Sequence, residues 1–394
     1  MPNKDIKIYN ASLKLSYIAT AVWSGTLAVL LSDIINSYSL TGTREGLMSS
    51  MISMGALAAL FAFIAVQGRL KKPQIITVCG FLASIMLMIK GIPMPFALFL
   101  IACFLMGFGH GAVDSYQSSF VADLNPGNMA KHIGSLHGIF GIGGILTPIV
   151  LQRLLTRFDW RTIYVMVGIA CMVLIAQFAV VAHYMKSRVS VASRIEPKLT
   201  VAGIRKFFGE RRNVFLLFCI FFGAAAQSGI IVWTIRYVSV SFGNPEIAAI
   251  CLFTFWITST VSRFYAPHLP LQPSQVLAGG AFISALIWAI ALTINLPLAI
   301  LIACGLTGLL SGCCISMALG EGAAIDPNKA GFSTNILMIF KTIGQVLSPI
   351  IVAFTMSLKN MQTGMFVTSV FFIFNGVFAA LMIRRKDASA RTQS

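Results

Sequence analysis

The chain has 394 residues, 57% hydrophobic and only 10% charged, with a mean hydropathy of +0.85. Soluble domains carry roughly 25% charged residues, so an ordinary soluble globular protein is excluded and an all-α integral membrane protein is expected. The formal charge of +17 raises the question of a nucleic-acid partner, which the placement of the basic residues answers.

About twelve apolar runs are long enough to cross a hydrocarbon core about 30 Å thick. They lie at 13–38, 44–66, 74–90, 95–122, 130–152, 162–184, 213–241, 245–266, 275–294, 297–320, 331–356 and 361–383, and leave almost nothing for a soluble domain. With the N-terminus in the cytoplasm, most basic residues fall on that side: Lys4, Lys7 and Lys14, then Arg69, Lys71 and Lys72, the run from Lys186 to Arg212, and Arg384, Arg385 and Lys386. Few fall opposite: Arg44, Lys90, Arg153, Arg157, Arg161 and Lys359. This is the asymmetry of the positive-inside rule, with both termini cytoplasmic in a cell (inner or plasma) membrane. Topology thus accounts for the charge; the lipid bilayer is an expected partner and nucleic acid is not. The first run is too long for a signal peptide and lacks a convincing cleavage site, so it reads as a retained span.

Span 1 carries Trp23 and, in an otherwise apolar stretch, Asp33. Asp33 is within two turns of the outer end, so a solvated position is the alternative to a functional one. Span 3 has no ionisable group but the terminal Lys90. Span 4 holds His110, Asp114, Tyr116 and Gln117, and the turn signal Asn125-Pro126-Gly127 leads to span 5 with His132, His137 and the string Gly141, Gly143, Gly144. Measured from that turn, Asp114 and His137 fall at similar depth on antiparallel neighbours, a candidate proton relay. Desolvation favours the neutral acid and a nearby cation the anion, so such a pair can load and release a proton near neutral pH. A structural hydrogen-bonding role for His137 is the alternative. Span 6 is clean until His183.

The polar stretch at 185–212 reads as a cytoplasmic linker with a short basic amphipathic helix suited to the headgroup region. It separates an N-terminal six-helix bundle, 1–184, from a C-terminal one, 213–394. In the second half Gln227, Ser228, Trp233 and Arg236 lie on span 7, and Asn335, Lys341 and Gln345 on span 11. The eight cysteines, Cys79, Cys103, Cys171, Cys219, Cys251, Cys304, Cys313 and Cys314, all sit in apolar spans without disulfide or zinc spacing, and read as packing residues. No cofactor or metal is implied, and no phosphate loop points to an ATP-driven pump.

Shifting the first half by 201 positions superposes Gly107 on Gly308, Gly111 on Gly312, Pro126 on Pro327, Gly143 on Gly344 and Pro148 on Pro349. Spans 4–5 and 10–11 therefore look like equivalent parts of two parallel repeats. Glycines allow close helix approach and the prolines break or kink. Transporters built this way bind substrate near the midplane between repeats and expose it alternately to either side.

Two six-span halves with a basic central loop resemble the major facilitator superfamily over nearly the whole chain. Within it, "DIINSYSLT" ending span 1, "GFGHGAVDSYQSSFV" of span 4, "SLHGIFGIGGILTP" of span 5 and "SRFYAP" closing span 8 resemble the fucose permease-like sugar:proton symporters. The resemblance implies pseudo-symmetric bundles, Asp33 and Asp114 as the intramembrane acids of sugar recognition and proton coupling, and cavity-lining first, second, fourth and fifth spans in each half. The chain departs from that pattern: Asp114 stands for a Glu, Gln117 and Ser118 where an Asn is expected, Ser135 for an Asn before His137, and the 67–73 loop lacks the usual acid. The superfamily is commonly monomeric.

The costly residues Asp33, Asp114, His137, Arg236 and Lys341 all lie on cavity spans under this scheme. Protons carried by Asp33, Asp114 and His137 are the expected coupling ion. Arg236 and Lys341 clamp an anionic substrate, or alternatively form gating ion pairs between the halves. Gln117, Trp23, Tyr116, Gln227, Trp233 and Asn335 supply stacking and hydrogen-bonding groups for a sugar-sized ligand, or else pack helix interfaces. The reading is proton-coupled symport of a small polar solute (a sugar, sugar acid or other small organic anion) by alternating access. The first alternative is a proton-coupled drug or metabolite exporter; a non-transporting membrane sensor is remote, for want of an output domain. An enzyme is not expected, because no metal cluster or nucleophile-base arrangement is recognisable.

Overall fold

The computed structural model describes residues 2–40, 43–66, 69–189, 201–326 and 330–391. Pro327, the loop positions 67–68, Thr41 of the span 1 string and residues 190–200 of the linker lie outside the described residues. Every described element is helical, as lipid demands: with no water to bond the backbone, each N–H and C=O is satisfied within its own segment. The helices are α1 (Pro2–Tyr38), α2 (Thr43–Val66), α3 (Lys72–Lys90), α4 (Phe96–Leu124), α5 (Met129–Leu155), α6 (Trp160–Met185) and α7 (Val201–Gly209). They continue as α8 (Arg211–Phe242), α9 (Pro245–Tyr265), α10 (Pro273–Ile294), α11 (Pro297–Ser311), α12 (Cys314–Ile325), α13 (Ala330–Leu358) and α14 (Met361–Arg391), with a short 3-10 turn at Ala266–His268.

Local chemistry sets the ends. Proline opens α3, α10 and α11 in the first turn, where its missing N–H has no intrahelical acceptor to lose. Asp159 caps α6 by accepting from the Thr162 amide at 3.3 Å, and the Thr162 hydrogen bonds hold its carboxyl below the usual carboxylate range. Gly243 closes α8 in the left-handed conformation that glycine adopts without strain (φ 64°).

Eleven described helices are long and apolar enough to cross a membrane, counting α11 and α12 as one span. The expected second span is α2, whose apolar stretch runs Ser50–Phe63. The expected uninterrupted tenth span is divided between α11 and α12 at Gly312 and Cys313. That break is supported from α9. The Arg263 Nε donates to the Gly312 carbonyl at 3.1 Å, and the Ser262 hydroxyl accepts from the Cys313 amide at 3.1 Å. Irregular backbone at membrane depth persists only with such partners.

The chain forms two compact units. Unit 1 comprises Met1–Met129, Ile139–Leu199 and Asp326–Asn335; unit 2 comprises Ala130–Gly138, Thr200–Ile325 and Ile336–Ser394. Within unit 1, α4 packs on α2 and α3, α3 on α6, and α6 on α1; within unit 2, α11 packs on α9 and α10, α10 on α14, and α14 on α8. The two internal patterns are the same, and the repeated glycines explain why. A methyl group at Gly107 would strike the Ile52 carbonyl of α2, and one at Gly308 the Phe255 carbonyl of α9. At Gly111 it would lie 2.7 Å from the Ala56 Cα, and at Gly312 2.5 Å from the Ser259 Cα. Each pair therefore marks the same backbone-to-backbone approach in its own unit.

Two of the basic residues are buried. Lys72, counted among the basic residues of the cytoplasmic side, is buried at the start of α3; its ammonium lies 2.6 Å from the Asp123 carboxylate and 2.5 Å from the Ser119 hydroxyl, both on α4. Lys90, read as an outer-face charge, is completely buried, with its Nζ 4.4 Å from the Tyr164 ring centre and 5.4 Å from that of Phe99. The aromatic faces give the ammonium a cation–π setting, but no hydrogen-bond partner accompanies them among the described residues.

Removing one member of a buried ion pair strands the other. Lys72→Met or Asp123→Leu alone should therefore destabilise by about 3–5 kcal/mol, whereas the double replacement should be near neutral. Thermal unfolding of the four proteins in detergent checks this, and equal losses in the single and double variants would show that the pair has no such coupling. Lys90→Met should leave the unfolding temperature unchanged or raise it, because it exchanges an ammonium without hydrogen-bond partners for an apolar chain of similar length.

Candidate functional site

The span 4 acid lies in a polar seam between α1 and α4. The Asn10 and Asn125 amides exchange hydrogen bonds at 2.9–3.0 Å, the Gln117 amide donates to the Ser16 hydroxyl at 2.7 Å, the Tyr17 hydroxyl donates to the Asp114 carboxylate, and Ser24 meets the His110 Nε2 at 3.3 Å. As residue numbers rise on α1 they fall on α4, so the two helices run antiparallel in one register. Neighbouring hydroxyls are turned back to their own helices: Ser16 donates to the Leu13 carbonyl, Thr20 to Tyr17 and Ser118 to Asp114.

Asp114 is 6% exposed and Gln117 fully buried. Around them the Ser115 hydroxyl donates to the Asn335 side-chain oxygen at 3.1 Å, and the Asn335 amide donates to the Leu60 carbonyl at 2.9 Å. Tyr116 stands edge-on to Phe63, ring centres 5.3 Å apart. Asp114, Gln117, Tyr116 and Asn335 are thus gathered in unit 1. The Gln117 side-chain oxygen is buried with no hydrogen-bond partner among the described residues, leaving an acceptor available in this cluster.

Trp23 belongs to the same helix pair but is only 1% exposed and stands edge-on to His110, 6.1 Å between ring centres. That is a packed indole with no free stacking face. Asp33 is about 16 residues beyond Tyr17 on α1, hence roughly 24 Å along the axis from the Asp114 level. It is half-buried and has no hydrogen bond or ion pair among the described residues. The two acids therefore do not form one centre.

The remaining site residues belong to unit 2. His137 is buried, and its backbone carbonyl accepts from the Arg263 Nη1 at 3.1 Å. Arg263 is itself 6% exposed and lies 5.7 Å from the Trp256 ring centre, so one guanidinium ties α9 to both α5 and the α11–α12 break. Gln227 is buried and donates to the Ser311 carbonyl at 2.7 Å; Ser228 donates to the Gln345 carbonyl at 2.9 Å. Trp233 is half-buried, donates to the carbonyl of Pro349 inside α13 at 3.3 Å, and has the exposed Arg236 guanidinium 5.8 Å from its ring centre. Arg236 makes no ion pair among the described residues. Lys341 is half-buried in α13.

Sequence reasoning missed Tyr17, the partner of Asp114, and Arg263. Tyr17 becomes visible once α1 and α4 are set antiparallel with Asn10 level with Asn125. Arg263 carried its own signal, a cation inside the quoted "SRFYAP" string. Among the described residues no group of three or more His, Cys, Asp or Glu side chains is placed to hold a metal ion.

The fold is shared with solved transporters. A structure of the major facilitator superfamily transporter FucP in the outward conformation aligns with a TM-score of 0.74 at 16% identity, covering 96% of this chain and 99% of that one. A variant of the Escherichia coli fucose:proton symporter FucP gives 0.76 at 16% identity with the same coverage. The human organic anion transporter MFSD10 (TETRAN) gives 0.76 at 13% identity, covering 95% and 99%. No curated protein sequence matches the chain. The profile of the Major Facilitator Superfamily matches residues 15–320, most of the chain and both glycine-keyed helix sets, so the chain belongs to the major facilitator superfamily and is a multi-pass membrane transporter.

Proposed function

We propose that this transporter moves a small polar or anionic solute together with protons by alternating access, with Asp114 as the proton-carrying group. The observation that carries the reading is a carboxylate 6% exposed on a membrane-spanning helix, accepting a hydrogen bond from the Tyr17 phenol. An intramembrane acid is costly and marks a functional site by default. Tyr17 suits either protonation state, since a phenol donates to a carboxylate and accepts from a carboxylic acid. Asp114 can therefore take up and release a proton without leaving a hydrogen-bonding atom stranded. The fold neighbours include a fucose:proton symporter, which agrees with proton coupling.

For the solute, the polar groups in each unit supply the recognition chemistry. Unit 1 offers the Gln117 oxygen, without a hydrogen-bond partner among the described residues, and the Asn335 and Tyr116 side chains; unit 2 offers the exposed Arg236 beside Trp233, and Lys341. A planar guanidinium and an ammonium fit a carboxylate, and an organic anion transporter is among the fold neighbours. A sugar acid or small carboxylate unites both chemistries. Trp23 and Gln227 pack and brace helices in this reading, and Asp33 acts as a separate group near one membrane face. Both termini are placed in the cytoplasm by the positive-inside rule.

Proteoliposomes loaded with a pH dye should acidify on addition of sugar acids or small carboxylates; acidification with neutral sugars alone would transfer the assignment to a sugar. No proton signal with any pool, from protein shown to be folded, would favour the proton-coupled exporter. Asp114→Asn should abolish proton-driven accumulation while leaving solute exchange across the membrane, and equal loss of both would assign Asp114 to binding or folding. Tyr17→Phe removes a hydrogen bond to a charged group, about 1.5–3 kcal/mol. It should lower proton-driven accumulation tenfold or more with exchange retained, and unchanged accumulation would deny Tyr17 a part in coupling.

A further inference from the structure

Unit 1 carries an apolar groove of about 330 Å³ between α1, α5 and α6, lined among others by Ile18, Leu146, Val150, Leu154, Met166 and Ala170. Its one side-chain hydroxyl, Thr147, is spent on the Gly143 carbonyl at 2.7 Å, so the groove presents no polar group of its own. Leu146 and Val150 are each 52% exposed, and all three helices span the membrane. The groove therefore opens where lipid chains run.

Its length and its end identify the occupant. Along α5 the lining runs from Ile142 to Leu154, roughly 18 Å at 1.5 Å per residue. That is close to half of a hydrocarbon core about 30 Å thick, the depth of one leaflet. The same helical ridge, stepping by three or four from Leu146 to Val150 and Leu154, continues into Arg153 and Arg157 at the α5–α6 turn. Both arginines are exposed, and neither side chain has a hydrogen bond or ion pair among the described residues. Their neighbours are committed elsewhere: Arg161 packs 4.3 Å from the Trp160 ring centre and donates to the Ile92 carbonyl, and Asp159 caps α6. An apolar slot one leaflet deep thus ends in two uncompensated guanidiniums, the group that bonds phosphate bidentately.

We propose that this groove binds one acyl chain of an anionic phospholipid, whose phosphate is held by Arg153 and Arg157 at the α5–α6 end. The site is separate from the α1–α4 seam and does not depend on which solute is carried. A zwitterionic lipid with the same chains fills the groove but gains less from the two cations, so the arginines select for net negative charge.

The test is native mass spectrometry of the full-length protein equilibrated with dioleoylphosphatidylglycerol and dioleoylphosphatidylcholine in equal amounts. The protein should retain one phosphatidylglycerol in preference to phosphatidylcholine. Each of Arg153→Gln and Arg157→Gln should reduce that preference roughly fivefold, the worth of one cation near a lipid surface. Because both residues are exposed, the variants should keep the wild-type unfolding temperature. Ala170→Trp, which fills the groove from an exposed position, should lower retention of both lipids. Equal retention of the two lipids, or a preference that survives the double arginine variant, would overturn the proposal. So would full competition by the chain-free headgroup glycerophosphoglycerol, which would leave the groove no part in binding.

Discussion

The α1–α4 seam is the interaction on which the rest of unit 1 depends, because a carboxylate inside a membrane-spanning bundle has to find its partners among neighbouring helices. Asp114 finds Tyr17, Gln117 finds Ser16, and Asn10 finds Asn125, so one antiparallel register satisfies several polar groups at once. A shift of α1 by a single residue would break these bonds together. In lipid, where apolar surface gives no preference for helix over tail, such bonds and close packing hold helices in register. The proposed proton-carrying acid and the alignment of the helices thus involve the same few side chains.

The same economy appears in how charges are housed. Lys72 and Asp123 neutralise each other between α3 and α4, and Ser119 takes a further ammonium proton. Arg263 spends its guanidinium on the backbone carbonyls of Gly312, at the divide between α11 and α12, and of His137 in α5. Lys90 is set against aromatic faces. Arg153, Arg157 and Arg236 differ in being exposed and without an ion pair among the described residues, and for that reason they are where ligands of opposite charge are sought.

Small residues do the complementary work. Gly107 and Gly111 admit α2 against α4 as Gly308 and Gly312 admit α9 against α11, which gives the two units the same internal packing. The second unit adds a break at Gly312 and Cys313, made tolerable by Ser262 and Arg263, where the first unit's α4 continues to Leu124. The repeated architecture therefore allows a local difference between equivalent helices, and the proposed asymmetry of function, an acid in one unit and cations in the other, follows the same pattern.

Membrane class, helical content, span positions and the repeat were legible in the sequence because hydropathy and glycine spacing are local, one-dimensional signals that lipid enforces strictly. Asp114 was also legible as a polar exception, since an isolated acid in an apolar run stands out without any knowledge of its neighbours. Its partner was not legible, because Tyr17 lies far away in the chain and only the register of α1 on α4 brings it near. The separation of Asp33 from Asp114, the burial of Lys72 and Lys90, and the bracing of the tenth-span break by Arg263 were likewise decided by tertiary packing. Each depends on which helix faces which and at what height, and composition and periodicity within a single span do not encode either.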